Sequence, residues 1–256
     1  MKRIRVIPVL LLQNGGLVKT IKFKNPNYIG DPINAVKIFN EKEVDELVFL
    51  DIEATKLGKE PDYNKIEEIA SECFMPLGYG GGIKNIEQVK KIISIGVEKV
   101  VINTSANTNQ KLIGETAKIY GSQCAVVSID VRKNMFGKYV CYINSGKNKV
   151  RQKLIDFVKA IENEGAGEII LTSIDKEGTF SGYDIDLIKK VSEVVNIPVV
   201  ANGGASTIED FTNAIKHGGA SAVSAGSLFV YKSKNRGVLI NYPSQKDLKK
   251  VVFEKI

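Results

Sequence analysis

Two stretches of the chain repeat at a fixed offset, so a fold that accommodates them must itself have a two-fold plan. Glu46 to Gly58 (ELVFLDIEATKLG) and Met75 to Ser105 (MPLGYGGGIKNIEQVKKIISIGVEKVVINTS) have counterparts at Glu168 to Gly178 (EIILTSIDKEG) and Ile197 to Ser227 (IPVVANGGASTIEDFTNAIKHGGASAVSAGS). Glu46 and Glu168, Pro76 and Pro198, Gly81 and Gly203, Gly96 and Gly218, and Val101 and Val223 are each 122 residues apart. The matched positions include the glycines and prolines that fix backbone geometry, so the offset reads as a duplication with halves of about 1–122 and 123–256.

Taken in order, short β-branched runs alternate with amphipathic stretches. Arg5 to Leu11 (RVIPVLL) reads as a buried strand, and Gln13 to Gly30 as a polar loop too long for a simple connection, hence a candidate lid. Asp31 and Pro32 open a helix running to about Lys42. Strands then fall at Glu46 to Asp51, Met75 to Tyr79 and Lys99 to Asn103, followed by helices after Pro61, after the cap Asn85 and over Gln110 to Tyr120. The count recurs with strands at Ala125 to Asp130, Glu168 to Thr172, Ile197 to Ala201 and Ala222 to Ala225. A small hairpin turns at Asn134 to Lys138, and helices cover Lys153 to Glu164, follow the cap Asp184 and run up to His217. Ser244 with Asp247 reads as a capping box for the last helix. Strict alternation of β and α with continuous apolar strands implies a parallel sheet. A duplicated count of eight implies an α/β fold closed as a single (βα)8 TIM-type barrel, with a doubly wound open sheet as the alternative.

The length of 256 residues suits one such barrel, and 43% hydrophobic content is ample for its core. With no apolar run approaching a membrane span and no charged-then-apolar leader, a cytoplasmic protein is expected. Cys73, Cys124 and Cys141 are odd in number and none is spaced C-x-x-C, so disulfides and zinc are disfavoured, and neither a metal nor an organic cofactor is expected. The net charge of +7 is read as lysines spread along every helix, without a basic block or interleaved aromatics. That favours anionic small molecules over nucleic acid.

In such barrels the chemistry sits at the carboxyl ends of the strands, where the Gly-rich turns of this chain fall. Gly81 and Gly82 with Asn103 and Thr104 form one candidate cradle; Gly203 and Gly204 with Ala225 and Gly226, and Gly178 nearby, form its counterpart. Glycine lets backbone N–H groups approach an anion closely. The plain alternative for any single pair is a tight turn, but two equivalent cradles imply a substrate phosphorylated at both ends.

ELVFLDI, GYGGGI, VINTS, SIDVRK, GAGEIILTSIDKEGTFSGYD and ANGGA together resemble the cyclase subunit of imidazole glycerol phosphate synthase, the HisF family, over essentially the whole chain. The resemblance implies a β/α barrel that receives ammonia from a separate glutaminase subunit through its interior. It implies attack of that ammonia on a ribulosyl formimino-carboxamide ribotide carrying two phosphates, with imidazole glycerol phosphate as a product. It also implies two acid/base carboxylates at the ends of strands one and five. Asp130 matches the second, and Leu11 stands at the first. Paired carboxylates in different environments divide proton donation and acceptance, which a leucine cannot do. Gln13 and Asn14 are not titratable replacements, and the single His217 reads as a helix-end cap. Asp51, ending strand two, is either a substitute acid or a structural residue, and Lys19 is retained at the site together with Thr172, Asp175 and Ser181. Glu53 stands where the family has a small hydroxyl residue, and Glu177 where it has a second aspartate.

Arg5, Glu46, Lys99 and Glu168 begin strands one, two, four and six, and the resemblance makes them a charged ring at the barrel floor that gates ammonia; a static plug is the alternative. The chain itself shows one histidine and no nucleophile elbow, so ammonia must come from solution or from another chain. LLLQNGGLVKT, with Leu11, looks more like the glycosyl amidation-associated paralogues, which supply ammonia for turning an acetamido group on a surface sugar into an acetamidino group. Three readings follow: an ammonia-delivering subunit for sugar amidination, a histidine-pathway cyclase with a rearranged acid, and a noncatalytic barrel that activates a glutaminase.

Overall fold

The computed structural model describes residues 4–256. In chain order its elements are β1 (Val6–Gln13), β2 (Gly16–Ile21), β3 (Lys24–Gly30), α1 (Pro32–Glu41), β4 (Leu47–Asp51), α2 (Tyr63–Glu72), β5 (Leu77–Gly80), α3 (Ile86–Ser94), β6 (Lys99–Ile102), α4 (Thr104–Thr108) and α5 (Lys111–Tyr120). There follow β7 (Ala125–Lys133), β8 (Tyr139–Ile143), β9 (Asn148–Lys149), α6 (Leu154–Asn163), β10 (Glu168–Ser173), α7 (Ile185–Ser192), β11 (Val199–Asn202), α8 (Ile208–Lys216), β12 (Ala222–Ala225), α9 (Ser227–Val230) and α10 (Gln245–Leu248). The strands β1, β4, β5, β6, β7, β10, β11 and β12 are parallel neighbours in that order. Because β12 pairs back onto β1, with Val6 opposite Val223, the sheet closes into a (βα)8 barrel.

Alternation along each strand fills both sides of that wall. Ile7 and Val9 of β1 join Val48, Val101, Val126, Ile170, Val200 and Ala222 in an apolar cluster filling the lumen. Val6, Leu10 and Leu12, one residue out of phase, join the larger cluster between strands and helices. The helices start where short polar side chains satisfy their first N–H groups: Asp31 accepts from Asn34 at 3.0 Å, Asp62 from Lys65 at 3.1 Å, Asn85 from Gln88 at 3.0 Å and Asp184 from Leu187 at 3.1 Å.

Two expectations need correction. Gln13 to Gly30 is not a loop: β2 returns antiparallel on β1, with Leu11 opposite Val18, and β3 pairs β2. Asn14 and Gly15, at φ 50° and 72°, make the tight left-handed turn that suits a two-residue hairpin, and Lys22 and Phe23, at 52° and 63°, do the same without a glycine. At the last helix, the Asp247 carboxylate accepts from the Ser244 hydroxyl at 2.6 Å rather than reaching back to the backbone, and α10 is a single turn leading into a wider π turn at Lys249–Phe253. The reciprocal capping box lies instead at Thr207 and Asp210, opening α8. The short helices α4 and α9, directly after β6 and β12, escaped the periodicity reading because one turn carries no period.

The rings of Tyr183, Phe211, Phe229 and Tyr242 run in a row with centroids 6.4, 6.2 and 5.2 Å apart, tying the segment before α7 to α8, α9 and the C-terminal segment. Phe211→Ala, at the centre of that row and fully buried, is expected to cost about 3–5 kcal/mol. The urea midpoint should fall with the slope of the transition unchanged.

Candidate functional site

One cavity opens at the carboxyl ends of the barrel strands, and the residues singled out from the sequence gather there. Asp130, Asp51, Lys19 and Leu11 line it, together with Gly81, Gly82, Asn103, Thr104, Gly178, Gly203, Gly204, Ala225 and Gly226. Arg5, Glu46, Lys99 and Glu168 lie elsewhere, in contact with one another at the strand starts.

Asp130 projects from β7, and its carboxylate accepts from Asn103 Nδ2 at 3.1 Å. Burial drives its pKa up from 3.8 to about 7, against the opposing pull of hydrogen bonds from Asn103, Thr172 and Ser128. The group therefore exchanges a proton in the neutral range. Leu11, from β1, shares the cavity wall and brings no titratable atom. Asp51 is engaged locally: its Oδ1 accepts from the N–H groups of Glu53 and Ala54 at 2.8 and 3.0 Å, which fixes the turn after β4.

The acidic residues Glu177 and Glu53 do something visible in the geometry. Glu177 pairs with the buried Lys19 ammonium, and accepts from the Thr20 hydroxyl at 3.2 Å and the Phe23 N–H at 3.3 Å. Its backbone carbonyl accepts from the Lys22 N–H at 3.0 Å. Glu53 accepts from Gln13 Nε2 at 2.9 Å and from the Asn14 N–H at 3.1 Å. The β1–β3 ribbon is thus tied down over the mouth at both of its turns. Burial, with Arg236 beside it, pulls the Lys19 ammonium down to about 7, while the Glu177 carboxylate acts in the opposite sense.

A second cover meets the first. The turn between β8 and β9 docks through the Asn144 N–H on Thr104 Oγ1 at 3.1 Å and through Ser145 Oγ on the Ile52 carbonyl at 3.2 Å. Gly146 lies so close to the Phe23 ring that a Cβ there would come within 3.1 Å of it. Phe23 and Ser145 both line the cavity, so the two hairpins form its roof.

The cradle glycines are required by the protein's own packing. A Cβ on Gly81 (φ 130°) would stand 2.6 Å from the Asp51 backbone oxygen, and one on Gly204 (φ 110°) 2.3 Å from the Gly182 carbonyl. Their presence alone does not distinguish an anion site from a tight turn. Polar groups surround them: the Ser227 hydroxyl is buried on the cavity wall with no hydrogen-bond partner among the described residues. The Lys19 side chain lies against Gly226, and Arg236 donates to the Gly178 carbonyl at 2.9 Å. Lys56 lines the other cradle, where burial and the neighbouring Lys147 depress its pKa. Phe23 and Arg236 were not found from the sequence. Asn14-Gly15 is a hairpin signal that would have placed Phe23 at a turn; nothing marks Arg236, which sits at φ 59° in the loop after α9.

At the floor, Arg5 Nη1 lies 2.5 Å from Glu46, and its Nη2 pairs with Glu168. Lys99 Nζ lies 2.8 Å from Glu46 and 2.7 Å from Glu168, which closes a four-membered ring of alternating charge. His217 is the exposed C-cap residue of α8, far in sequence from any of these groups. Among the described residues, no three His, Cys, Asp or Glu side chains gather as a metal site, and no helix is long and apolar enough to cross a membrane.

The family model described as "Histidine biosynthesis protein" matches residues 5–235. A "Putative imidazole glycerol phosphate synthase subunit HisF" of Leptospira borgpetersenii is 52% identical over 248 residues, covering 96% of this chain and 98% of the relative. A "Putative imidazole glycerol phosphate synthase subunit hisF3" of Vibrio vulnificus is 50% identical over 253 residues, covering 98% and 97%. An "Imidazole glycerol phosphate synthase subunit HisF" of Alkaliphilus metalliredigens is 40% identical over 227 residues, covering 89% and 90%.

Two outcomes follow from this geometry. Because the folded protein binds the Asp130 proton more tightly than the unfolded chain does, this group's contribution to stability falls as pH rises from about 4 to about 7. Asp130→Asn should therefore gain stability over wild type at pH about 8, by at most about 4 kcal/mol, and gain none at pH about 4; urea midpoints at the two pH values read it. Removing one partner of a buried ion pair costs about 3–5 kcal/mol. Glu177→Gln should free the ribbon, with tryptic cleavage at Lys22 and Lys24 accelerated at least about tenfold while the barrel remains intact.

Proposed function

The chain belongs to the histidine biosynthesis protein family, among its imidazole glycerol phosphate synthase HisF subunits; from that premise we propose that it is a cytoplasmic, ammonia-accepting synthase subunit of a glutamine amidotransferase that has diverged from the ring-forming reaction. Ammonia made by a partner glutaminase, docked on the strand-start face, enters past the Arg5–Glu46–Lys99–Glu168 ring, crosses the apolar lumen and emerges at the roofed cavity. There it serves acetamidino formation on a surface-polysaccharide sugar.

The observation that carries this reading is that Leu11 and Asp130, from the opposite strands β1 and β7, line the same cavity. Condensing ammonia with a bisphosphorylated ribulosyl substrate, closing the imidazole ring and breaking a C–N bond each move protons. General acid/base catalysis by one positioned group is worth about 10²- to 10⁴-fold. Asp130 can take and give a proton near neutrality, but the position facing it has none, and Asp51 is occupied by the N–H groups of Glu53 and Ala54. Substrate anions would rest at the two cradles, with Lys56 at one and Lys19, Arg236 and the Ser227 hydroxyl at the other.

Purified protein with saturating ammonium and the bisphosphorylated ribulosyl formimino-carboxamide ribotide is expected to form imidazole glycerol phosphate at least about a hundredfold more slowly than a family member bearing both carboxylates. Leu11→Asp should recover part of that rate. Turnover equal to that of two-carboxylate members would overturn the reading and make this a histidine-pathway cyclase served by another acid. Glu46→Ala is expected to depress glutamine-dependent activity in the assembled complex more than activity with added ammonium. Equal losses with both nitrogen sources would make the ring a plug rather than a gate.

A further inference from the structure

The charge of this chain is not evenly spread, contrary to the reading of lysines scattered along every helix. Residues 131–155 hold seven of the 36 Lys and Arg and none of the 29 Asp and Glu, leaving 29 of each elsewhere, so the whole formal charge of +7 rides on this one segment. The segment runs from the end of β7 through β8 and β9 to the start of α6, beside the mouth of the barrel. Arg132 and Lys133 lie 3.9 Å from Asp175 and Asp184 respectively. Lys138, Lys147, Lys149, Arg151 and Lys153 are exposed, and none of them makes an ion pair among the described residues. At the tip, Met135 and Phe136 are 91% and 79% exposed, the two barest large apolar side chains after Phe74 is set aside.

We propose that the β7–β9 ribbon docks this protein reversibly on an anionic lipid surface, with Met135 and Phe136 entering the headgroup region and the surrounding cations facing lipid phosphates. Protection of a sheet edge accounts for a lysine such as Lys149 on the two-residue β9, but not for a bare Met-Phe tip or for a run without one carboxylate. The tip is convex and adjacent apolar residues crown it, which is the form of an interfacial anchor rather than of a groove. Its backbone is ready for a water-poor layer. Asn134 Oδ1 accepts from the N–H groups of Phe136 and Lys138, both at 2.9 Å, and the Asn134 carbonyl from Gly137 N–H at 2.9 Å, so these turn donors are already satisfied. Each Lys or Arg near an anionic leaflet is worth roughly fivefold in affinity, so five unpaired cations make binding substantial yet salt-sensitive. A nucleic-acid duplex would use the cations and leave the apolar tip in water. The proposal is independent of the ammonia reading.

The test uses the full chain and vesicles of phosphatidylcholine with about 30 mol% phosphatidylglycerol, against phosphatidylcholine alone, at about 0.1 M salt. Cosedimentation should occur with the anionic vesicles, weaken at least about tenfold on neutral ones and fall again at about 0.5 M salt. The combined variant Lys138→Gln, Lys147→Gln and Lys149→Gln should bind at least about tenfold more weakly. The chain has no tryptophan, so a Phe136→Trp protein carries a single reporter at the tip, and its emission should shift to the blue with anionic vesicles. The proposal is overturned by failure to bind anionic vesicles, by equal binding to both vesicle types, by an emission maximum that stays at its aqueous position, or by ribbon-dependent binding to a DNA duplex alone.

Discussion

Closure of the sheet is the constraint on which everything else rests. Once β12 pairs with β1, each barrel strand faces the lumen on one side and the helices on the other, with no edge left to protect. The lumen then needs filling at three levels, and the alternation of each strand supplies them. Glu46, Val48 and Leu50 of one strand, and Glu168, Ile170 and Thr172 of another, pass from charge through hydrocarbon toward the mouth. A chemical gradient along the barrel axis is thus written into a period of two.

The lowest level is energetically the most demanding. Glu46 and Glu168 are 3% and 4% exposed, and burying carboxylates is unfavourable unless each is matched. Two cations shared between two acids match them, and burial that would weaken the Arg5 charge is more than offset by the carboxylates, so its pKa is raised. A ring of this kind is a poor source of net stability beside an apolar plug of the same volume.

How far this could be read in advance depended on whether a feature has local chemistry. The barrel strands and the caps at Asp31, Asn85 and Asp184 were legible because a pleat and an N-cap are determined by a few neighbouring residues. The gathering of Asp130, Leu11 and both Gly-rich cradles was legible because the offset of 122 and the strand ends fix their place. The ribbon at Gln13 to Gly30 was missed, although Asn14-Gly15 marks its turn, because Asn25-Pro26-Asn27 within β3 argues against a strand. β3 tolerates that proline since its outer side pairs with nothing. Glu53 and Glu177 stood out as departures from the family pattern, but their work as ties lies 40 and 158 residues away in sequence, at Gln13 and Lys19. Arg236 depends on a loop turned back across Gly178, which no spacing reveals.

The roof and the proton chemistry beneath it are one problem. Burial raises the Asp130 pKa against the hydrogen bonds from Asn103, Thr172 and Ser128, and the two hairpins that meet at Phe23 and Gly146 roof the cavity that it lines. A carboxylate at position 11 would place a second charge under the same roof, and like charges in a dry chamber force one of the two to hold its proton. Leucine removes that conflict and leaves a more apolar wall, with Asp130 held among its own hydrogen bonds and the Asp51 and Glu177 carboxylates engaged by other partners. Glu177, by holding Lys19, Thr20 and Phe23, ties the roof down over the cavity that Asp130 lines. Leu11 thus lines the same cavity whose roof Glu53 and Glu177 hold down at the two turns of the β1–β3 ribbon.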